Sequence, residues 1–132
     1  MLFMSITAGI QICVKDKKGK YIANRNKGVS WKNRYIDLWM FEYIFKYKDQ
    51  LKAIKSEDTD ECRNYIIPKS VIKQLAEDLM TKKFKICPDA YEFIEDPFSD
   101  ELTTEEKTLM SYGQQIKQLY DSIQNDEFFV YY

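Results

Sequence analysis

Trp31-Lys32-Asn33-Arg34-Tyr35-Ile36-Asp37-Leu38-Trp39-Met40-Phe41-Glu42-Tyr43-Ile44-Phe45-Lys46-Tyr47 carries both tryptophans of the chain, with three tyrosines and two phenylalanines. At the roughly 100° per residue of an α-helix, Trp31, Tyr35, Leu38, Trp39 and Phe45 cover one side. Ile36, Met40, Tyr43, Ile44 and Tyr47 cover much of the other, and only Asn33, Asp37 and Lys48 form a wet strip. A helix apolar nearly all round needs cover on more than one face, from the rest of the chain or from a partner. The stretch is therefore expected to be a central aromatic helix with Ser30 as its N-cap. Its continuation through Leu51 and Ile54 would place Lys48, Lys52 and Lys55 near the C-terminal end, where cations suit the helix dipole.

The segments that flank it supply the cover. Upstream, Ile6, Ala8, Ile10, Ile12 and Val14 alternate with Ser5, Thr7, Gly9, Gln11 and Cys13, the period of a half-buried strand. The polar run from Lys15 to Lys20 contains Gly19 and reads as a turn, and Tyr21-Ile22-Ala23 returns as a short second strand. Asn24 to Val29 reads as a loop. Downstream, Glu57, Asp58, Asp60 and Glu61 lie in an acidic loop, and Tyr65-Ile66-Ile67 is short and β-prone. Pro68 suits the first position of a helix whose Val71, Ile72, Leu75, Leu79 and Met80 share one face. Lys73/Glu77 and Asp78/Lys82 are expected as ion pairs on its outer side. Phe84 to Asp100 reads as irregular, broken by Pro88 and Pro97, with a short strand at Tyr91–Ile94. Thr103-Thr104-Glu105-Glu106 is a capping box for a third helix. That helix carries Leu109, Tyr112, Ile116, Leu119, Tyr120 and Ile123, and its Gly113 is expected to let it approach the aromatic helix closely. Asn125-Asp126 ends it, and Phe128 to Tyr132 is a β-prone strand. The fold class predicted is α+β: one domain over residues 1–132, a small antiparallel sheet packed against about three helices.

A length of 132 residues, 45% hydrophobic and 31% charged, suffices for one core without disulfides or metal. Aromatics at 15% are high: they fill a small core with large side chains, or, as the sharper alternative, some of them line a ligand groove or contact patch. The net charge of −1 hides an asymmetry: residues 1–55 hold twelve Lys and Arg against four acids, and residues 56–132 hold eight against seventeen. No apolar run reaches the roughly 18 residues of a membrane span, and Met1–Lys15 lacks the basic start of a signal peptide. Cys13, Cys62 and Cys87, odd in number and far apart, point to a reducing, cytoplasmic setting.

The absence of histidine removes Ser-His and Cys-His nucleophilic sites, imidazole zinc sites and the commonest general base. Three scattered cysteines give no zinc motif, and isolated glycines at 9, 19, 28 and 113 build no phosphate loop. Neither the 57–61 acids nor Asp96, Asp100 and Glu101 match a calcium loop. No catalytic residue, cofactor or metal is assigned; a carboxylate- or metal-dependent hydrolase is the weakest alternative. The candidate ligand-binding residues are Lys17, Lys18, Lys20, Tyr21, Arg25, Lys27, Trp31, Arg34 and Tyr35. Cations interleaved with rings can hold phosphate and stack a base.

Several stretches also carry a resemblance. They are Trp31-Lys32-Asn33-Arg34 with Ile36 and Trp39; Asp60-Glu61-Cys62-Arg63-Asn64-Tyr65-Ile66-Ile67; Lys69, Ile72 and Leu75; and Phe129-Val130-Tyr131-Tyr132. In this order the chain resembles, over residues 30–132, a group of small uncharacterised proteins common in bacteriophages and prophages. That group often begins with a Gly-Leu-Asp-Met-like segment and ends with Ser and Trp after the aromatic tail. This chain has neither, which points to a trimmed C-terminus. The resemblance transfers no functional residue and implies a genomic setting. The expectation is a non-enzymatic binding protein of phage or mobile-element origin, acting in counter-defence by sequestering or blocking a host protein or a phosphate-bearing, nucleotide-like signal. A homo-oligomer would cover part of the aromatic helix. A nucleic-acid-binding module using residues 15–34 is the alternative, ranked behind because the second half of the chain is acidic.

Overall fold

A computed structural model describes residues 8–54, 65–87 and 103–132. Among the described residues three helices lie against one face of a five-stranded antiparallel sheet, so the fold is α+β. Strands β1 (Ala8–Lys15) and β2 (Tyr21–Trp31) form a hairpin. Helix α1 (Arg34–Phe45) follows, then a 3-10 turn at Lys48–Gln50 and strand β3 (Lys52–Ala53). Strand β4 (Tyr65–Ile67) leads into α2 (Lys69–Met80), and α3 (Thr104–Ser122) into β5 (Phe128–Tyr131). The sheet order is β2-β1-β5-β4-β3.

The alternation along β1 sends Ala8, Ile10 and Ile12 to the helical side, where Val29, Trp31, Ile67, Phe129 and Tyr131 join them. On the helices, Ile36, Trp39, Met40, Tyr43, Ile44, Ile72, Leu75, Leu79, Leu109 and Ile116 complete this core, all fully buried. A large side chain taken out of water contributes roughly 1.5–3 kcal/mol. The opposite sheet face holds a small cluster of Cys13, Val130 and Ile54, flanked by Tyr21, Ile66 and Phe128.

The aromatic stretch is used differently from its reading as one long helix. Ser30 is not an N-cap; it pairs with Gly9 in the ladder, and Trp31 pairs with Ala8 as the last residue of β2. The cap is Asn33, whose Oδ1 accepts from the Tyr35 and Ile36 amides at 2.8 and 3.3 Å. Helix α1 also ends early. The Lys46 and Tyr47 amides reach back to Tyr43 and Ile44, three residues away, and the chain then leaves to pair Lys52 and Ala53 with β4.

Asn24 to Val29 is strand and not loop. Gln11 faces Gly28 and Cys13 faces Ala23, so Ile12 alone spans residues 24–27 in a wide bulge. Asn26 donates its amide to Asn24 Oδ1 there, so side chains replace lost ladder bonds. The capping box of α3 is present: Thr103 Oγ1 accepts from the Glu106 amide at 3.2 Å, and Glu106 Oε1 accepts from the Thr103 amide at 2.9 Å. Gly113 faces α2, not α1; a Cβ built on it would lie 2.7 Å from Leu79 Cβ. Helix α2 ends in a left-handed cap without glycine. Lys82 sits at φ 62°, its amide bonds Leu79 O, and the Lys83 amide bonds Asp78 O.

Candidate functional site

The nine residues expected to bind a ligand do not assemble into one site. Lys17, Lys18 and Lys20 are exposed at the tip of the β1–β2 hairpin. Asp16 Oδ1 accepts from the Lys18 and Lys20 amides at 2.9 and 2.8 Å, and Gly19 takes the positive φ that closes the turn. Tyr21, half-buried beside them, packs at right angles on Phe128, with the Lys15 ammonium 5.0 Å from its ring centroid. Arg34 and Tyr35 are exposed at the start of α1, beyond the other end of the hairpin. Lys15 pairs with Tyr21 and Ala8 with Trp31, so the eight residues of β1 hold the two groups about 23 Å apart at roughly 3.3 Å per step.

Two members of the set have structural employment. The Lys27 ammonium lies 3.4 Å from Glu127, whose other oxygen accepts from the Gln124 amide. This pair fastens the β2 bulge to the turn before β5; the backbone of Arg25 lies in the same bulge. Trp31 is 1% exposed, its indole N–H donates to Asp37 Oδ1 at 2.9 Å, and its ring abuts Tyr112 and Tyr131. It offers no face to a base. Its role as a stacking platform is corrected to a core residue that ties the end of β2 to α1.

On the solvent side of α1, Leu38 and Phe41 join Tyr35 as exposed apolar residues that were not among the candidate ligand-binding positions. Tyr35, Leu38 and Phe41 are 41%, 39% and 47% exposed, while Ile36, Trp39, Met40, Tyr43 and Ile44 are sealed. Phe41 stacks on Phe45 with centroids 4.3 Å apart, and Phe45 meets Tyr65 edge-on. A chain of ring contacts thus runs from Phe41 through Phe45 to Tyr65 on β4, with Leu38 one turn before Phe41 on the same side of α1. Of the expected wet strip, Asn33 and Lys48 are exposed, but Asp37 is half-buried and holds the Trp31 indole.

The buried side of α1 carries the polar network of the core. Tyr43 Oη donates to Asp78 Oδ2 at 2.6 Å, Gln74 Nε2 donates to Asp78 Oδ1 at 2.9 Å, and the Lys83 ammonium lies 3.9 Å away. Asp78 is therefore turned into the core and not paired outward with Lys82, and Lys73 and Glu77 form no ion pair. Burial, reinforced by the Asp78 carboxylate, pushes the Tyr43 phenol far above its usual range. The Trp39 indole donates to Phe84 O at 2.8 Å. Burial likewise raises Tyr131, with Asp37 contributing, and lifts the Cys87 thiol to about 12, with Glu42 adding to the effect. A thiol held protonated is a packing group, not a nucleophile.

A groove of about 410 Å³ runs between α2 and α3, floored by Ala76, Met80 and Tyr120. Its rim charges balance: Lys73 and Lys117 against Glu77 and Asp121, with Lys117 and Asp121 paired at 2.6 Å. Among the described residues no three His, Cys, Asp or Glu side chains are placed to hold a metal ion, and no helix is long and apolar enough to cross a membrane. The 57–61 acids, Cys62, the Tyr91–Ile94 segment, and Asp96, Asp100 and Glu101 lie outside the described residues. No protein-family model, curated protein or solved structure matches the chain.

Proposed function

We propose that this chain is a non-enzymatic binding protein of phage or mobile-element origin that occupies a host cytoplasmic protein through the solvent side of α1. One observation carries the reading. A helix whose other faces are buried in the core presents Tyr35, Leu38 and Phe41 to water, continuous with Phe45. Scattered apolar residues on a surface need no explanation, but a contiguous aromatic strip on a rigid helix is the composition of an interface centre. Rings on a preorganised element give contact area at low entropic cost. The phage setting rests on the residues shared with the bacteriophage group.

The test compares the immobilised wild-type protein with Leu38→Asp/Phe41→Asp in bacterial lysate, reading retained proteins by mass spectrometry. Both positions are solvent-exposed, so circular dichroism and thermal unfolding should change little. The expected result is a protein kept by the wild type and lost by the variant. Equal retention by both, or retention of nucleic acid alone, overturns the reading.

A further inference from the structure

We infer that the tip of the β1–β2 hairpin docks on duplex DNA, its lysines set against the phosphates that line the major groove; this stands apart from the reading of α1. Lys15, Lys17, Lys18 and Lys20 are exposed, and none pairs with a carboxylate among the described residues. Asp16, the one acid among them, is half-buried, and its Oδ1 accepts from the Lys18 and Lys20 amides. The described charges that flank the tip balance: Lys27 of the β2 bulge and Lys69, which reaches Gln124 O, stand against Asp126 and Glu127 of the turn before β5. Four lysines against one aspartate therefore leave the tip positive. Charges more than about 10 Å away are screened at 0.1 M salt, so the net charge of −1 on the whole chain does not decide this contact.

The shape selects the kind of polyanion. Strand β5 pairs with β1 only as far as Cys13, which faces Phe128. Beyond it, Val14 and Lys15 pair with Ile22 and Tyr21 alone, so the hairpin leaves the sheet as a two-stranded ribbon. The Asp16 amide bonds Lys20 O at 2.8 Å and the Gly19 amide bonds Asp16 O at 3.0 Å, which holds the turn in one shape before any partner arrives. Two strands about 4.8 Å apart fit a major groove about 12 Å wide. The two overhanging residues add about 7 Å before the turn, against a groove depth of about 8.5 Å. Single strands are held by stacking bases on rings. Tyr21, the ring beside the tip, is half-buried, with the Lys15 ammonium over it and Phe128 against it, so a single strand fits less well. Lysine ammoniums without a guanidinium fork within residues 15–20 meet phosphate and not base edges, so the contact is independent of sequence.

The probe is a short fluorescent DNA duplex of arbitrary sequence, read by anisotropy. Three or four phosphate contacts should weaken binding about 40- to 150-fold between 50 and 200 mM salt. Lys17→Glu/Lys18→Glu/Lys20→Glu should lose at least about tenfold in affinity at 50 mM salt. Its thermal unfolding should change little, because all three side chains are exposed and the turn is held by its backbone and by Asp16. Lys52→Glu/Lys73→Glu/Lys107→Glu makes the same change of net charge at exposed positions elsewhere and should bind within about threefold of the wild type. A minor-groove ligand bound beforehand to an A·T-rich duplex should leave the affinity unchanged. Leu38→Asp/Phe41→Asp should still bind the duplex, so this inference and the reading of α1 fail separately. No binding at 50 mM salt, a salt effect below about fivefold, tighter binding of the single strand, competition by the minor-groove ligand or an equal loss in the control variant overturns the inference. Retention on phosphatidylserine vesicles without duplex binding makes the tip a membrane contact and overturns it too.

Discussion

Tyr43→Phe removes one oxygen from the middle of the core and leaves the shape of the ring unchanged. In the wild type that oxygen donates at 2.6 Å to a carboxylate that is 4% exposed. The phenol keeps its proton because burial raises its pKa, so it remains a donor throughout the ordinary pH range. A hydrogen bond to a charged group contributes about 1.5–3 kcal/mol, and the carboxylate cannot turn to water for a replacement. The expected loss is about 2 kcal/mol. With an unfolding entropy of about 2.1 cal/mol/K per residue, 132 residues give roughly 280 cal/mol/K, so Tm should fall by about 7 °C. Urea denaturation followed by tryptophan fluorescence is the assay, since Trp39 stacks on Tyr43 with centroids 5.3 Å apart. Replacing both partners, in Tyr43→Phe/Asp78→Leu, should cost at least about 1 kcal/mol less than the sum of the single changes. A loss below about 0.5 kcal/mol for Tyr43→Phe, or strict additivity in the double variant, would refute the claim that this buried bond joins α1 to α2.

Gly113→Ala should destabilise by about 1–3 kcal/mol, because its Cβ would press on Leu79 Cβ at 2.7 Å. Helix propensity alone gives the opposite sign, so chemical denaturation decides between packing and propensity. Lys82→Gly should raise stability by about 0.5–1 kcal/mol, since Lys82 holds a left-handed conformation at φ 62° that glycine adopts freely; an unchanged or lower Tm counts against that cap. Alkaline pH should weaken the fold. Cys87, Tyr43 and Tyr131 all have raised folded pKa values, so the unfolded chain gives up these protons first. Their contribution is complete below about pH 9 and is lost as pH rises, by about 1.4 kcal/mol per pH unit for each group once its unfolded form ionises. Denaturation midpoints between pH 8 and 11, with tyrosinate absorbance read alongside, check this; a midpoint that rises with pH contradicts it.

The elements legible in the sequence were those whose own pattern is sufficient. The alternation of β1, the apolar face of α2, the capping box at Thr103 and the β-prone run at Phe128 each lie where expected. The rest depended on neighbours. Residues 24–29 have loop composition, and β1 holds them extended on either side of the bulge, with Lys27 fastened by Glu127. Ser30 and Asn33 are both good caps, and the ladder claims the serine. Asp78 sits among residues expected to be wet, and only the position of the Tyr43 hydroxyl explains its burial. For the candidate site, the hairpin lysines were legible as exposed charge. The 23 Å separation from Arg34 was not, because it required knowing that β2 runs on to Trp31. Which residues of α1 form its exposed strip was not legible, because a helix apolar nearly all round does not show which faces the chain itself covers.

The last strand described is not at the margin of the sheet. Phe128–Tyr131 bonds to β1 on one side and β4 on the other, so it is the seam between the hairpin and the β3–β4 pair. A ribosome making this protein cannot finish the sheet until residue 131 has emerged from the exit tunnel. Until then two half-built ladders, each with an open side, must wait. A message cut short before codon 128 would yield a product without its seam, and such a fragment is work for chaperones and proteases.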